Sequence, residues 1–377
     1  MKLKRKVKKP FKCLLVILVM LTLFLIICFF YKKNSSKNLN SKKNVNLENK
    51  ISVRKMSLVA VGDVLTHDAV LKDAKTTDGY SFKQMFSYIK PMIQSYDLKY
   101  VNEESIIGGP SYKISGYPTF NAPDAVGDDL IDTGFNIVGL ANNHAYDKGM
   151  KAILYSNQYW KEKNVITAGT YSSQEESDSI KIYEKNGIKY AFLAYTTSLN
   201  GNNLPTDNEY LVNIYSNEQA RFDIEKIKNQ VDVIIVAMHW GDEYTNVPTN
   251  SQKEIASYLS SLGVNLIIGT HPHVVQPIQY VGNTLVIYSL GNFISNQLVL
   301  GLNPAIGLMV GIDIMVDNDS VKFSIKQKEL LYSYSNNSTD FKVIPFSKLN
   351  NDILNDYQNI ESKYMGIVGD VMWIKER

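Results

Sequence analysis

Eight short apolar runs constrain this chain more than any other feature, because runs of six to eleven residues separated by amphipathic stretches fit strands alternating with helices. They lie at 57–62 (SLVAVG), 97–102, 135–140, 188–195, 231–238, 264–269, 284–290 and 306–316. Amphipathic stretches at 81–94, 123–133, 148–163, 216–229 and 250–262 predict the helices between them. The alternation predicts an α/β layered domain with parallel strands at its centre. The later strands, with fewer helices between them, predict a second sheet of mixed direction.

Residues 13–31 read CLLVILVMLTLFLIICFFY, nineteen residues with no charge, Pro or Gly. As a helix this stretch is ~28 Å long, about one hydrocarbon core, and it predicts a membrane span. A cleavable signal peptide has a shorter apolar region followed by small residues, and neither occurs after Phe30. Cys28 follows Ile26 and Ile27, which does not fit a lipid-acylation site. Seven basic residues precede the span (Lys2, Lys4, Arg5, Lys6, Lys8, Lys9, Lys12) and five fall in the fifteen residues after it, which places the N-terminus in the cytoplasm. Residues 32–55, rich in Lys, Asn and Ser, predict a flexible linker. The expected organisation is a basic cytoplasmic tail at 1–12, a transmembrane helix at 13–31, the linker, an extracytoplasmic domain at 56–330 and a C-terminal extension at 331–377 with a helix near 347–363.

Charge divides along the same lines. Thirteen of the 40 basic residues but only one of the 37 acidic ones lie in the first 50 positions, so the remainder holds 27 against 36, a net of −9. A domain that acidic repels polyanions at long range, which argues against a nucleic-acid partner and leaves an anionic ligand to be held locally by metal ions or a basic patch. Both cysteines, Cys13 and Cys28, fall in the apolar span. The domain is therefore without thiols, which excludes a disulfide framework or a Cys-based zinc site there.

All five histidines are His67, His144, His239, His271 and His273, and four of them sit just beyond the C-terminal end of an apolar run. Asp63 follows SLVAVG in the same way, and Glu103 and Glu104 follow 97–102. The C-terminal ends of strands in open α/β sheets are where ligands bind. In Gly269-Thr270-His271-Pro272-His273, Pro272 disfavours the helical region for His271, so the dipeptide is expected to be extended with both imidazoles on one side. Asn142-Asn143-His144 opens a loop before Asp147 and Gly149, and His239-Trp240-Gly241 ends the most apolar run. Burying so many polar groups together without a metal is costly, and a set of N and O donors favours Mn, Fe or Zn over Mg.

At these residues the sequence resembles the bacterial capsule-synthesis CapA family, linked to poly-γ-glutamate synthesis and a branch of the calcineurin-like metallophosphoesterases. The matching motifs are Gly62-Asp63, Asn102-Glu103-Glu104, Ala141-Asn142-Asn143-His144 with Asp147 and Gly149, His239-Trp240-Gly241 with Glu243 and Tyr244, Gly269-Thr270-His271-Pro272-His273-Val274 with Gln276 and Pro277, and Tyr288-Ser289-Leu290-Gly291-Asn292-Phe293. They cover residues 58 to about 300 in the order of the superfamily.

The resemblance implies a four-layer αββα sandwich holding two divalent metal ions. Asp63 would bind one cation, Glu104 would bridge, and Asn143 with His239 would bind the second. His271 would join the second cation and His273 the first, with His144 as general acid and Asp147 orienting it. Tyr288, Asn292 and Glu243 would lie on the substrate side. Two positions depart from the pattern: Leu65 stands where a metal-binding His is usual, so one cation would be under-coordinated, loosely held or completed by His67, and Glu103 replaces an apolar residue beside the bridging position. Alternation from Leu98 through Tyr100 and Asn102 favours Glu104 over Glu103 as the bridge. The function implied is a membrane-anchored, phosphoester-type hydrolase of capsule or poly-γ-glutamate synthesis or export, working with membrane proteins of that process. The alternative is a non-hydrolytic assembly or attachment factor whose metals are structural or bind polymer carboxylates.

Overall fold

The computed structural model describes residues 10–48, 53–318 and 320–370. Most of the basic tail expected at 1–12, Lys2 to Lys9 included, lies outside the described residues. Two compact units, Met1–Ser52 and Val53–Arg377, make up the chain. Among its described residues the first has one helix, α1 (Pro10–Glu48), in which Val16–Ser35 has a mean hydropathy of 2.2 and is long and apolar enough to cross a membrane. The helix runs to Glu48, so the flexible linker expected from residue 32 is helical over most of its length. Nothing in 32–48 breaks a helix: the segment has neither Pro nor Gly.

In the second unit the chain forms β1 (Arg54–Val64), α2 (Asp68–Ala74), a small hairpin of β2 (Lys75–Thr76) and β3 (Gly79–Tyr80), α3 (Lys90–Ile93), β4 (Leu98–Glu103), α4 (Asp124–Thr133), β5 (Ile137–Gly139), α5 (Met150–Glu162) and β6 (Ile166–Ala168). There follow α6 (Gln174–Asp178), β7 (Ile182–Lys185), β8 (Ile188–Thr196), α7 (Asn217–Ile227), β9 (Val233–His239), α8 (Asn250–Leu262), β10 (Leu266–Thr270), β11 (Ile278–Val281) and β12 (Thr284–Ile287). The chain closes with β13 (Asn292–Ile294), β14 (Ile306–Asp317), β15 (Ser320–Asn336), β16 (Thr339–Pro345) and α9 (Tyr357–Val368).

Two mixed sheets result. One has the order β16-β15-β14-β1-β4-β5-β6, with β13 pairing β1, and the other β11-β12-β10-β9-β8-β7. Strands β1, β4, β5 and β6 run parallel, as do β8, β9, β10 and β12. The mixed second sheet expected from the later runs is present, but 306–316 is not in it: β14 returns to pair antiparallel with β1. The boundary expected at 330 falls inside β15, and β16 extends the same sheet, so residues 331–345 belong to the domain.

Alternate residues of each strand face opposite ways, and the burial pattern reads out the layers. Leu58, Ala60 and Tyr100 of the first sheet meet Phe192, Ile235 and Ile268 of the second in one core. Val59, Val61 and Val101 face outward onto Val126, Leu130 and Trp160 of the helical layer on their side. Leu193, Val236 and Ile267 pack against Ile224 and Leu259 of α7 and α8. The arrangement is helix, sheet, sheet, helix. At the N-terminal strand ends Arg54 forms two 2.8 Å bonds to Asp232, joining the start of β1 to the residue before β9.

Helix ends follow local chemistry. Thr249 and Gln252 form a reciprocal capping box on α8, which Gly263 ends at φ +97°. The helix expected over 81–94 is mostly turns, with only Lys90–Ile93 helical. Pro91 explains this, since it has no N–H and fits only the first turn of a helix. The helix expected near 347–363 occurs later, as α9.

Where β1 meets the turn before β13, a Cβ on Gly62 would lie 1.7 Å from the Gly291 carbonyl oxygen. Gly62→Ala is expected to cost about 3 kcal/mol, because backbone rather than a flexible side chain must give way. Chemical denaturation of the two proteins checks this; a loss under about 1 kcal/mol contradicts the close approach.

Candidate metal centre

The C-terminal ends of β1, β4, β9 and β10 converge on one buried cluster. Two groups of ligand-type atoms, each within 4.8 Å of one another, comprise Asp63, Glu104 and His273, and Glu104, His239 and His271. Glu104 is common to both. The His239 and His271 rings lie 4.7 Å apart, and the His271 and His273 rings 6.0 Å apart.

Each side chain is held by a neighbour. Asp63 accepts from Asn102 Nδ2 at 2.7 Å and from the His271 backbone N–H at 3.2 Å. His239 places Nδ1 3.0 Å from Thr270 Oγ1, and its Nε2 faces Asn143 Oδ1 at 2.8 Å, which brings Asn143 to the second group. Asn143 in turn donates to Asn200 Oδ1 at 3.1 Å. His273 Nδ1 bonds Asn292 Oδ1 at 3.0 Å, while the Asn292 amide donates to Gln297 Oε1 and the Pro304 carbonyl. Such outer partners fix ring orientation and tautomer.

The His-Pro-His segment reaches this geometry by a different route from the extended one expected. His271 has φ +95° and His273 φ +59°, so both backbones lie in the left-handed region. Bulky residues rarely adopt it, and the conformation persists only where the surroundings enforce it. The bend sends the two imidazoles to different groups and keeps Glu104 between them.

The donor set fits divalent cations on two observations. Both oxygens of Glu104 are buried without a hydrogen-bond partner in the protein, an arrangement that costs several kcal/mol unless a positive charge faces them. His271 Nδ1 and His239 Nε2 also face each other at 3.1 Å, which requires a proton or a cation between them.

Electrostatics separate the members. Burial and the Asp63 charge push Glu104 up to about 8. His273 reaches about 9, because Glu104 and Asp63 outweigh the lowering effect of burial. Burial drives His239 down to about 3 and His271 well below its usual range. Burial raises Asp63, but the His273 hydrogen bond and the His239 and His273 charges offset this and hold it below the usual carboxylate range.

Beside the ligand groups, His144 Nδ1 lies 2.8 Å from Asp147 Oδ2, which also accepts from the Phe120 N–H at 2.7 Å. Phe120 meets the His144 ring edge-on at 4.7 Å. His144 follows Asn143, whose Oδ1 lies 2.8 Å from His239 Nε2, so it borders the centre.

Several expected residues lie outside the two ligand groups. His67 is in neither group; its Nδ1 accepts from the Asn296 N–H at 3.2 Å, and burial lowers it to about 4. Leu65, where the usual ligand is missing, is buried with its N–H on the Ile294 carbonyl. Tyr288 does not line the site: it stacks on Trp240 at 5.9 Å in the core beneath α7 and α8, because its strand position faces the helical layer. Asn292 orients His273 from behind. Glu103 is buried beside Glu104 but belongs to neither group, and burial pushes its carboxyl well up. Glu243 approaches His273 Nε2 at 3.9 Å with its side chain 43% exposed. The contributions of Thr270 and Asn200 were missed by sequence reasoning, although Asn200 follows β8, and the strand-end rule applied to that strand points to it.

Residues 57–297 match the family described as bacterial capsule synthesis protein PGA_cap. The chain is 28% identical over 257 residues to the PGA biosynthesis protein CapA of Bacillus subtilis, covering 64% of each chain. It is 25% identical over 251 residues to the capsule biosynthesis protein CapA of Bacillus anthracis, covering 64% of this chain and 60% of that one. The chain thus spans less than two thirds of the length of these curated relatives. Among solved structures it is similar to Haemophilus influenzae NAD nucleotidase (TM-score 0.45, 14% identity, 84% of this chain and 57% of that one). It is also similar to a 5′-nucleotidase precursor from Thermus thermophilus (TM-score 0.44, 11% identity, 83% and 58%).

Metal uptake is expected to release protons at pH 7. Glu104 and His273, at about 8 and 9, hold protons there that a cation must displace, whereas His239 at about 3 is already neutral. Metal affinity should therefore rise with pH up to about 9. Calorimetry in buffers of different ionisation enthalpy checks this, and a heat independent of buffer contradicts it.

Proposed function

The chain belongs to the bacterial capsule synthesis protein PGA_cap family, and from that premise we propose that it is a membrane-anchored, extracytoplasmic metal-dependent hydrolase of phosphoester type that serves capsule or poly-γ-glutamate synthesis or export. The observation that carries the reading is Glu104, a fully buried carboxylate whose oxygens have no hydrogen-bond partner and which lies between two histidine-containing groups, 3.5 Å from His239 Nε2. Asp63, Glu104 and His273 would hold one divalent cation; Glu104, His239, His271 and the Asn143 carbonyl would hold the other. Mn, Fe or Zn suit this donor set. When bound, two such cations supply Lewis-acid polarisation and an activated water.

The rest of the chemistry falls to side chains. In this reading His144 gives a proton to the leaving oxygen from Nε2; the Asp147 contact at Nδ1 supports the role, since it leaves Nε2 free. Asp147 is itself held by the Phe120 N–H, so the pair is rigid before substrate arrives. Asn102, Thr270 and Asn292 keep the ligands in position. Anchoring rests on the apolar helix Val16–Ser35, and the excess of basic residues before it supports a cytoplasmic N-terminus and an outward-facing domain.

His144→Ala is expected to lower kcat on phosphoester substrates by about 10²- to 10⁴-fold while leaving bound metal unchanged. Turnover and metal analysis of the same preparation check this. Undiminished turnover removes His144 from the chemistry, and absence of chelator-sensitive hydrolysis across phosphoester and γ-glutamyl substrates favours the non-hydrolytic assembly role.

A further inference from the structure

We propose that the centre selects a reacting group with a single negative charge, a phosphodiester rather than a phosphomonoester dianion, and that Glu243 sets this preference; the inference rests on the hydrolytic reading above. Glu243 belongs to neither ligand group, yet its Oε1 lies 3.9 Å from His273 Nε2, and its half-exposed side chain puts a carboxylate at the open side of the cluster. Among the described residues, no Lys or Arg bonds or ion-pairs with Asp63, Glu104, Glu243 or a site histidine. Lys148, next to Asp147, directs its ammonium to Thr119 Oγ1.

The charge balance follows from this inventory. Two divalent cations facing Asp63, Glu104 and Glu243 leave about one positive charge. A phosphodiester monoanion neutralises it. A monoester dianion exceeds it and brings its second charge against Glu243, with no guanidinium or ammonium to compensate.

Tyr244 points the same way. A diester carries a second organic arm that needs a surface beside the centre. The Tyr244 ring lies 5.9 Å from that of His273, and its hydroxyl accepts from Gln297 Nε2 at 3.2 Å. Its backbone is held at φ +62°, with the N–H on the Pro272 carbonyl at 2.8 Å. The ring is 41% exposed, so a fixed aromatic face flanks the reacting position on the Glu243 side.

The test uses the full chain in detergent, loaded with Mn²⁺, with metal content and circular dichroism recorded for each variant. Wild type is expected to hydrolyse bis(p-nitrophenyl) phosphate with a kcat/KM at least about tenfold above that for p-nitrophenyl phosphate, and Glu243→Gln should shrink that ratio by about tenfold, the scale of one screened charge contact. In calorimetry at pH 8, Glu243→Gln should raise affinity for methyl phosphate about tenfold more than for dimethyl phosphate. A monoester preference in wild type, or a ratio unmoved in a folded, metal-loaded Glu243→Gln variant, overturns the proposal. If neither ester is hydrolysed, the hydrolytic reading fails and calorimetry alone decides: a selective gain for methyl phosphate supports the charge selection, and equal shifts for both anions refute it.

Discussion

A carboxylate with no partner inside a protein is among the most destabilising groups a fold can carry, and Glu104 is such a group, buried with both oxygens unbonded. Hydrophobic packing does not account for it, since an apolar residue at this position would satisfy the same core. The cost is sustained only because His239, His271 and His273 sit around it on segments that the fold cannot easily move. The left-handed backbones of His271 and His273 show a second cost borne at the same place. Two independent penalties at one point are what a binding centre looks like before its ligand is considered.

The sheets make this possible by bringing strand ends together. Parallel strands β1 and β4 of one sheet and β9 and β10 of the other all end at the same edge of the sandwich. Residues one or two positions past those ends inherit a fixed direction from the strand, so Asp63, Glu104, His239 and His271 meet although more than 200 positions separate the first from the last. Gly62 lets β1 approach the turn before β13, and Gly269 lets β10 approach the residue after β12, since a Cβ at either would strike a neighbouring carbonyl. At the opposite ends the Arg54 to Asp232 pair joins the sheets. The site end carries the strain and the far end carries the tie.

Much of this is legible from the sequence, and the parts that are not share a cause. The eight apolar runs all contain strands, because burial on both faces of a central strand imposes continuous apolarity. Strands β7, β11 and β16 are sheet edges and β15 lies beside one; all four escape such a reading, since they are half exposed and mix Lys, Glu or Tyr with apolar residues. Over 81–94 the apolar spacing suggests a long helix, and Pro91 overrides it. Within the site, residue type and strand-end position identify the groups that lie together, while pairing across the sandwich is invisible in one dimension. His67 and Tyr288 illustrate this: each lies in a matching segment, but one imidazole nitrogen is engaged by the Asn296 N–H and the phenol faces the helical layer, and only three-dimensional direction separates them from the cluster.

The partners that hold the ligands are themselves informative. Asn102, Asn143, Asn200, Asn292 and Thr270 position the centre through amides and a hydroxyl, none of which carries charge. An Arg or Lys in those places would have fixed the carboxylates equally well but would have lowered their attraction for cations. Neutral supports leave the charge of Asp63 and Glu104 to be met by the site histidines or by a metal. A net charge of −9 over residues 51–377 repels anions at long range, so in the proposed reading the metals are what hold an anionic ligand at the centre.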